Sequence, residues 1–317
     1  HLADYTARLK EIFKKYGTSG MFYAHASVGT LHVRPVLNMK SDKDIQNMRS
    51  ISEEAFEMVK DYKGSHSGEH GDGIVRSEFH EMMFGKKITN AFEEIKDTFD
   101  SKNLLNPGKI VRPFKSNDRS LMRYKSGYQT ENIDTHYDWS NWGQFSDAVE
   151  MCNNNGACRK LDSGVMCPSY RVTKEEKDLV RGRANTLRLA LSNQLPEGSF
   201  ASKEMYETME LCVSCKACQR ECPMSVDMAK MKSEFLSHYY KKFSMRIKDR
   251  VISDMPRLIW LLKIVAPIFN KVKNLPLIST IVERFGFATA RSMPEVQNQN
   301  ALRAVSYTHL RAHETRG

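Results

Sequence analysis

Four cysteines, Cys212, Cys215, Cys218 and Cys222, stand in the run C-x2-C-x2-C-x3-C, and Pro223 follows at once. That spacing puts three thiolates in one tight loop, where they reach three irons of a single iron–sulfur cube, and directs the fourth to a second cluster. A chain built on this run folds around inorganic cores and carries electrons. The partner run lies upstream, in Cys152-Asn-Asn-Asn-Gly-Ala-Cys158 and then Cys167-Pro168, where the terminal Cys-Pro signature returns. All seven cysteines are thereby used. By the crossed ligation of two-cluster ferredoxins, Cys212, Cys215 and Cys218 share a cluster with Cys167, and Cys222 joins Cys152 and Cys158. One centre is then a complete 4Fe-4S cluster. The other, with three thiolates, is a 3Fe-4S cluster or a 4Fe-4S cluster with one non-cysteine ligand, for which Asn153, Asn154, Asn155 and Asp162 are the nearby candidates.

Zinc explains this pattern less well, because zinc knuckles use two separated pairs and have no role for a third cysteine three residues on. Disulfides suit neither an odd count nor cysteines three apart in one loop. Cluster chemistry points to a reducing, cytoplasmic setting. The net charge of +10 is spread among many acidic residues rather than gathered in a basic block with interleaved aromatics, which argues against nucleic acid. Arg159, Arg181, Arg183 and Arg220 lie near the cysteines, where they could offset the negative charge of thiolate-ligated clusters.

At 317 residues the chain has room for two domains. Leu2, Tyr5, Leu9, Ile12, Phe13 and Tyr16 recur at helical spacing and stop at Gly17. Residues 21–26 and 31–37 read as strands of a hairpin, and 42–62 as a helix. After a glycine-rich loop over 64–73, helices over 78–84 and 86–100 lead to the turn Asn106-Pro107-Gly108. This gives a first domain over 1–112, a polar linker over 113–145, and a helical cysteine-bearing domain over 146–290, with helices at 174–193 and 227–243. Residues 258–269 are strongly apolar, too short to span a bilayer and interrupted by Lys263 and Pro267. They read as a buried core helix, with an interfacial helix docking peripherally on the inner membrane as the other reading. Residues 304–317 read as a non-native tail, and targeting signals are not legible from a chain that opens inside a helix.

With Val28-Gly29 as a two-residue turn, His25 faces His32 across the strands, about 4.5–5.5 Å apart at Cβ. Two imidazoles so placed can chelate a divalent metal, and Arg34 projects from the same face. The loop Ser65-His66-Ser67-Gly68-Glu69-His70-Gly71-Asp72-Gly73 supplies a carboxylate beside an imidazole on a backbone that can approach a ligand closely. Glu69 as third ligand makes a His2Glu set with an open position, and His70 is then free as a base.

These residues carry a resemblance. His25-x6-His32, Ser67-Gly-Glu-His-Gly-Asp-Gly73 and Leu105-Asn-Pro-Gly-Lys109 resemble the end of the C-terminal domain of FAD-linked oxidases, the family of D-lactate, glycolate and D-2-hydroxyglutarate dehydrogenases. Cys152-x5-Cys158, Cys167-Pro-Ser-Tyr-Arg171 and Arg181-Gly-Arg-Ala-Asn185 are similar to the iron–sulfur unit fused behind that flavoprotein in large bacterial members. The resemblance implies an α+β domain followed by an all-α two-cluster ferredoxin-type domain. It also implies FAD, held mainly by a domain upstream of His1, without which the chain is silent. By the same carry-over, a zinc, manganese or iron ion sits on His25, His32 and Glu69, His70 takes the substrate proton beside the flavin, and the Asn106 turn lies near the flavin. Arg34 stands where many relatives have asparagine and would bind a substrate carboxylate bidentately. The implied reaction is oxidation of a D-2-hydroxy acid, with electrons passing through both clusters to a quinone or redox protein. The competing class is an electron-transfer module with no substrate site of its own; a zinc-bearing nucleic-acid binder is the third.

Overall fold

The computed structural model describes residues 1–290 together with 295 and 296. The chain divides into two compact units, His1–Thr130 and the remainder from Glu131.

Unit 1 starts with helix α1, Leu2–Lys15, which buries Leu9 and Phe13 and ends at Gly17 in a left-handed conformation, φ +69°. Strands β1, Gly20–His25, and β2, Thr30–Pro35, pair antiparallel as the only strands among the described residues. Gly20 is required where it stands, since a Cβ there would collide with the ring of Phe13, which packs 5.8 Å from Phe22. Helix α2, Asp42–Asp61, is capped by the Ser41 hydroxyl accepting from the Asp44 N–H, with Asp42 and Asp44 in its first turn, where the helix dipole favours them. Its face of Ile45, Ile51, Ala55, Met58 and Val59 is buried. Short helices α3, Gly73–Arg76, and α4, His80–Phe84, then lead to α5, Lys86–Phe99.

The hairpin register differs from the sequence expectation. His25 pairs with Thr30 and His32 with Tyr23, so His25 and His32 are diagonal neighbours and not opposed. The cause is the connection. Ala26–Val28 forms a 3-10 turn closed by Gly29 at φ +67°, which inserts four residues where a two-residue turn was expected. A diagonal pair still shares a face, with Cβ atoms about 7–8 Å apart.

Unit 2 is helical: α6 Phe145–Glu150, α7 Pro168–Thr173, α8 Val180–Leu191, α9 Lys203–Glu210, α10 Ala217–Glu221, α11 Met228–Lys242, α12 Ile247–Val272 and α13 Pro276–Arg284. The helix expected over 174–193 is split into a 3-10 turn at Glu176–Asp178 and α8, with extended Leu179 between them. The core gathers Trp139, Phe145, Val149, Leu179, Leu187, Leu191, Met209, Met231 and Phe235 around the cysteine loops.

The segment expected as a linker is shared between the units. Arg119 donates to the carbonyl of Met39 at 2.9 Å and pairs with Asp42 at 3.2 Å within unit 1, whereas the Glu131 N–H donates to the Leu191 carbonyl at 2.7 Å within unit 2. Fully buried Glu234 on α11 accepts from the N–H groups of His136 and Tyr137, at 2.9 and 3.0 Å, and from the Trp139 indole at 3.1 Å. Polar composition here reflects hydrogen bonding to the domains, which a pattern of hydropathy does not register.

The core reading of residues 258–269 is corrected. They lie inside α12, whose Trp260, Ile264 and Ile268 are 60, 69 and 68 % exposed, while Ala266 is buried. The helix runs on through Pro256 and Pro267 for 26 residues, and its length carries the apolar stretch clear of the unit 2 core. Among the described residues no helix is long and apolar enough to cross a membrane.

Replacing Glu234 leaves three donors without their acceptor at once, the buried Trp139 indole among them. Glu234→Ala is expected to destabilise unit 2 by on the order of 3 kcal/mol in denaturant unfolding, with α8 to α11 losing amide-exchange protection together.

Candidate functional site

Glu69 is the hub of a cluster on the hairpin. Its carboxylate lies 2.6 Å from His32 Nδ1, 2.9 Å from His25 Nε2 and 2.9 Å from His70 Nε2. Gly68 makes this approach possible: a Cβ there would press within 2.7 Å of Thr30 Cγ2, so its absence lets the loop lie on β2 and brings the next residue to the histidines. Arg34 Nε donates to His32 Nε2 at 2.8 Å, which leaves His32 to donate from Nδ1 to Glu69. The Arg34 guanidinium also lies over the Tyr23 ring. The hydrogen bond from His32, together with the nearby charge of His70 and His25, holds the Glu69 carboxyl below its ordinary range.

His32, Glu69 and His70 each place a donor atom within 4.8 Å of the other two, and His25 joins through the second carboxylate oxygen. The structure thus brings together His25, His32, Glu69 and His70 with Arg34 bonded to His32, and adds His70 to the donor set where the sequence left it a free base. The edges of His32 and His70 face a groove lined by Thr30, Leu31, Val33, Phe56 and Val75.

Asn106 lies outside that cluster, in a separate turn at φ +47°. The turn is positioned by Asp100, which accepts from the Lys96 ammonium and from the N–H groups of Leu105 and Leu104 at 2.8 and 2.9 Å. The Lys96 contact foremost, then the two N–H groups, depresses the Asp100 carboxyl to about 2.

In unit 2 the cysteine runs meet. Cys167, Cys212, Cys215 and Cys218 line one cavity with Arg183 and Met228, the four thiols that crossed ligation assigns to one cluster. Ser214 and Lys216 are left-handed, φ +54° and +59°, in the loop whose three cysteines line this cavity. The loop of Cys167 is held by Glu221, whose carboxylate accepts from the N–H groups of Val165 and Met166 at 3.0 Å. Arg183, fully buried, donates to Cys167 Sγ at 3.6 Å and pairs with buried Asp178 at 3.5 Å. Lys232, half-buried, donates to the Cys212 carbonyl at 2.6 Å; burial lowers its pKa, and the Cys212 thiolate pulls it back up. Burial pushes the Cys218 thiol up to about 11, a cost that a bound cation at the sulfur removes. Four convergent thiols beside the buried Arg183 and the half-buried Lys232 fit an anionic iron–sulfur core.

Around Cys152 and Cys158 the donors are fewer. Asn154 Oδ1 is 3.9 Å from Cys152 Sγ and accepts from Asn185 at 2.6 Å, whereas Asn155 accepts from the Ala157 N–H. Burial pushes the Cys158 thiol up, an effect that the Arg181 backbone N–H and charge only partly offset. Glu221 and Lys232 escaped the sequence reading, because a carboxylate or ammonium on a helix shows its role only once the two cysteine runs are seen to meet.

Residues 1–110 match the family model for FAD linked oxidases, C-terminal domain, and residues 148–226 match that for the 4Fe-4S dicluster domain. Over these two stretches the chain is similar to both domain families. D-2-hydroxyglutarate dehydrogenase of Escherichia coli strain K12 is 29% identical over 90% of this chain and 31% of its own length; the protein of that name from Pseudomonas putida is 31% identical over 80% and 28%. D-lactate dehydrogenase of Archaeoglobus fulgidus is 33% identical over 35% of this chain and 24% of its own. The chain spans about a third of the length of its longest-matching curated relatives. No solved structure matches. An α+β oxidase domain followed by a helical dicluster domain is the architecture observed.

Two outcomes follow from the two domains. In the dicluster domain, Arg183→Leu leaves Asp178 uncompensated beside Cys167 and should move one cluster potential negative by on the order of 100 mV, with Arg183→Lys moving it less, in EPR-monitored redox titration. In the oxidase domain, the depressed Asp100 pKa contributes stability that is complete above about pH 4 and lost as pH falls toward about 2. Asp100→Asn should flatten that acid limb in thermal unfolding followed across the same interval.

Proposed function

We propose that this chain is the metal-bearing substrate wall and the electron relay of an FAD- and iron–sulfur-dependent dehydrogenase acting on a D-2-hydroxy acid of the D-2-hydroxyglutarate or D-lactate type. The observation that carries the reading is the convergence of His25, His32 and His70 on Glu69 within an FAD-linked oxidase domain, in a chain that also presents seven cysteines in a dicluster domain. The relatives named above support the substrate class.

In this reading His25, His32 and Glu69 hold a divalent zinc or manganese ion, for which two imidazoles and a carboxylate are a suitable mixed set. Once bound, such an ion would supply Lewis-acid polarisation of the substrate hydroxyl, FAD would supply hydride acceptance, and the clusters would supply one-electron transfer to a quinone or a redox protein. His70 stands at the cluster's exposed edge, where it takes the hydroxyl proton. Arg34 binds the substrate carboxylate and, through its bond to His32 Nε2, fixes which ring nitrogen faces Glu69. Arg183 and Lys232 offset charge on the Cys167 and Cys212 side of the relay. The exposed apolar side chains of α12 support a peripheral encounter with a membrane-dissolved acceptor.

The test is Glu69→Gln in the holoenzyme that carries this chain. Turnover of D-2-hydroxyglutarate and D-lactate with a dye acceptor should fall by at least about 100-fold, a loss typical of removing a metal ligand or its support, while the cluster EPR spectra stay unchanged. Undiminished turnover would leave only a relay. His70→Asn should reduce kcat while the divalent metal content is retained.

A further inference from the structure

A second cluster lies in unit 1, with no residue in common with the Glu69 hub. His66 from the glycine-rich loop, Asp72 at the start of α3 and His80 at the start of α4 each offer a donor atom within 4.8 Å of the other two. Both imidazoles are buried, with side chains 0 and 4 % exposed, and Asp72 is mostly covered. His80 Nε2 lies 2.8 Å from Asp72 Oδ2, and His66 Nε2 lies 3.8 Å from Oδ1. Phe56, Phe84 and Phe92 wall the rings at centroid separations of 5.1 to 6.1 Å.

A hydrogen-bonded Asp72–His80 pair accounts for only part of this arrangement. His66 Nδ1, Asp72 Oδ1 and His80 Nδ1 are buried with no hydrogen-bond partner. Native interiors rarely leave one such atom bare, and here three belong to the same three side chains. Burial lowers the His66 pKa, so its ring is neutral and keeps a lone pair. Burial raises the Asp72 carboxyl, but its bonds to His80 and Ser67 outweigh that and keep it ionised. Two buried imidazoles and one carboxylate in an aromatic pocket are donors for a borderline divalent cation, and such a hydrophobic shell limits solvent access to it.

We propose that His66, Asp72 and His80 form a second, buried divalent-metal site of the zinc or cobalt class, which clasps the loop carrying Glu69 and His70 to α4. Its three protein donors leave a place for water or for the nearby Arg76 carbonyl, which already lies 3.3 Å from His66 Nε2.

The probe is Co2+, added without oxygen to the full chain after its clusters have been assembled and free divalent metal removed with a chelator. Cobalt retained after gel filtration is counted by elemental analysis. The wild type is expected to retain two equivalents, Glu69→Gln one, His80→Asn and His66→Gln one each, and the Glu69→Gln/His80→Asn double variant none. Cobalt should raise the unfolding temperature of Glu69→Gln and fail to raise that of the double variant. Wild-type stoichiometry in both His80→Asn and His66→Gln, or no retained cobalt in Glu69→Gln, overturns the proposal. The two histidine variants sit on different elements, so misfolding of one leaves the other to decide. Because the Glu69 variant is counted separately, failure of the hub as a metal site is read apart from failure of this one.

Discussion

Glu221 holds the N–H groups of Val165 and Met166, Cys167 is the next residue on that loop, and Cys222 is the next residue after Glu221 itself. One carboxylate therefore fixes the relation between two cysteine runs that the chain separates by dozens of residues. Without it the cavity lined by Cys167, Cys212, Cys215 and Cys218 would have three walls. The surrounding charges follow from the same demand. A core that concentrates negative charge needs cations within reach, and burying Arg183 and half-burying Lys232 against the cysteine loops is tolerable only because the thiolates and Asp178 face them.

The oxidase domain meets a similar demand in the opposite sense. Glu69 is a single anion ringed by three imidazoles, with Arg34 behind one of them. Its hub position rests on backbone economy at Gly68, where the absent side chain is what lets loop and strand touch. Deeper in the same domain, Asp72 plays an analogous part between His66 and His80, but among phenylalanines. Two carboxylate-centred imidazole clusters three residues apart in sequence, one open to a groove and one dry, give one loop two environments of very different polarity.

Much of this was legible from residues alone, and the reason differs from part to part. The cysteine spacing and the sharing of Cys167 with the later run encode local geometry, so they could be read directly. The helices α1, α2 and α11 announced themselves through apolar period and capping residues. The hairpin was placed correctly, but its register was not, because Ala26–Val28 gives no sign of curling into a 3-10 turn before Gly29. The apolar stretch of α12 suggested a core helix, since hydropathy reports what a face would gain by being covered and nothing about what is there to cover it. No role was legible for His66 in its loop or for His80, because the phenylalanines that wall their pocket come from three different helical segments.

The four-residue connection between β1 and β2 acts as a ruler for chemistry. Side chains alternate along a strand, so removing one residue from that exposed turn would rotate His32 and Arg34 to the opposite face while His25 stayed put. The Glu69 carboxylate would then find Leu31 or Val33 where an imidazole had been. A surface loop, ordinarily the most forgiving place for insertion and deletion, is here held to a fixed length by residues it does not contain.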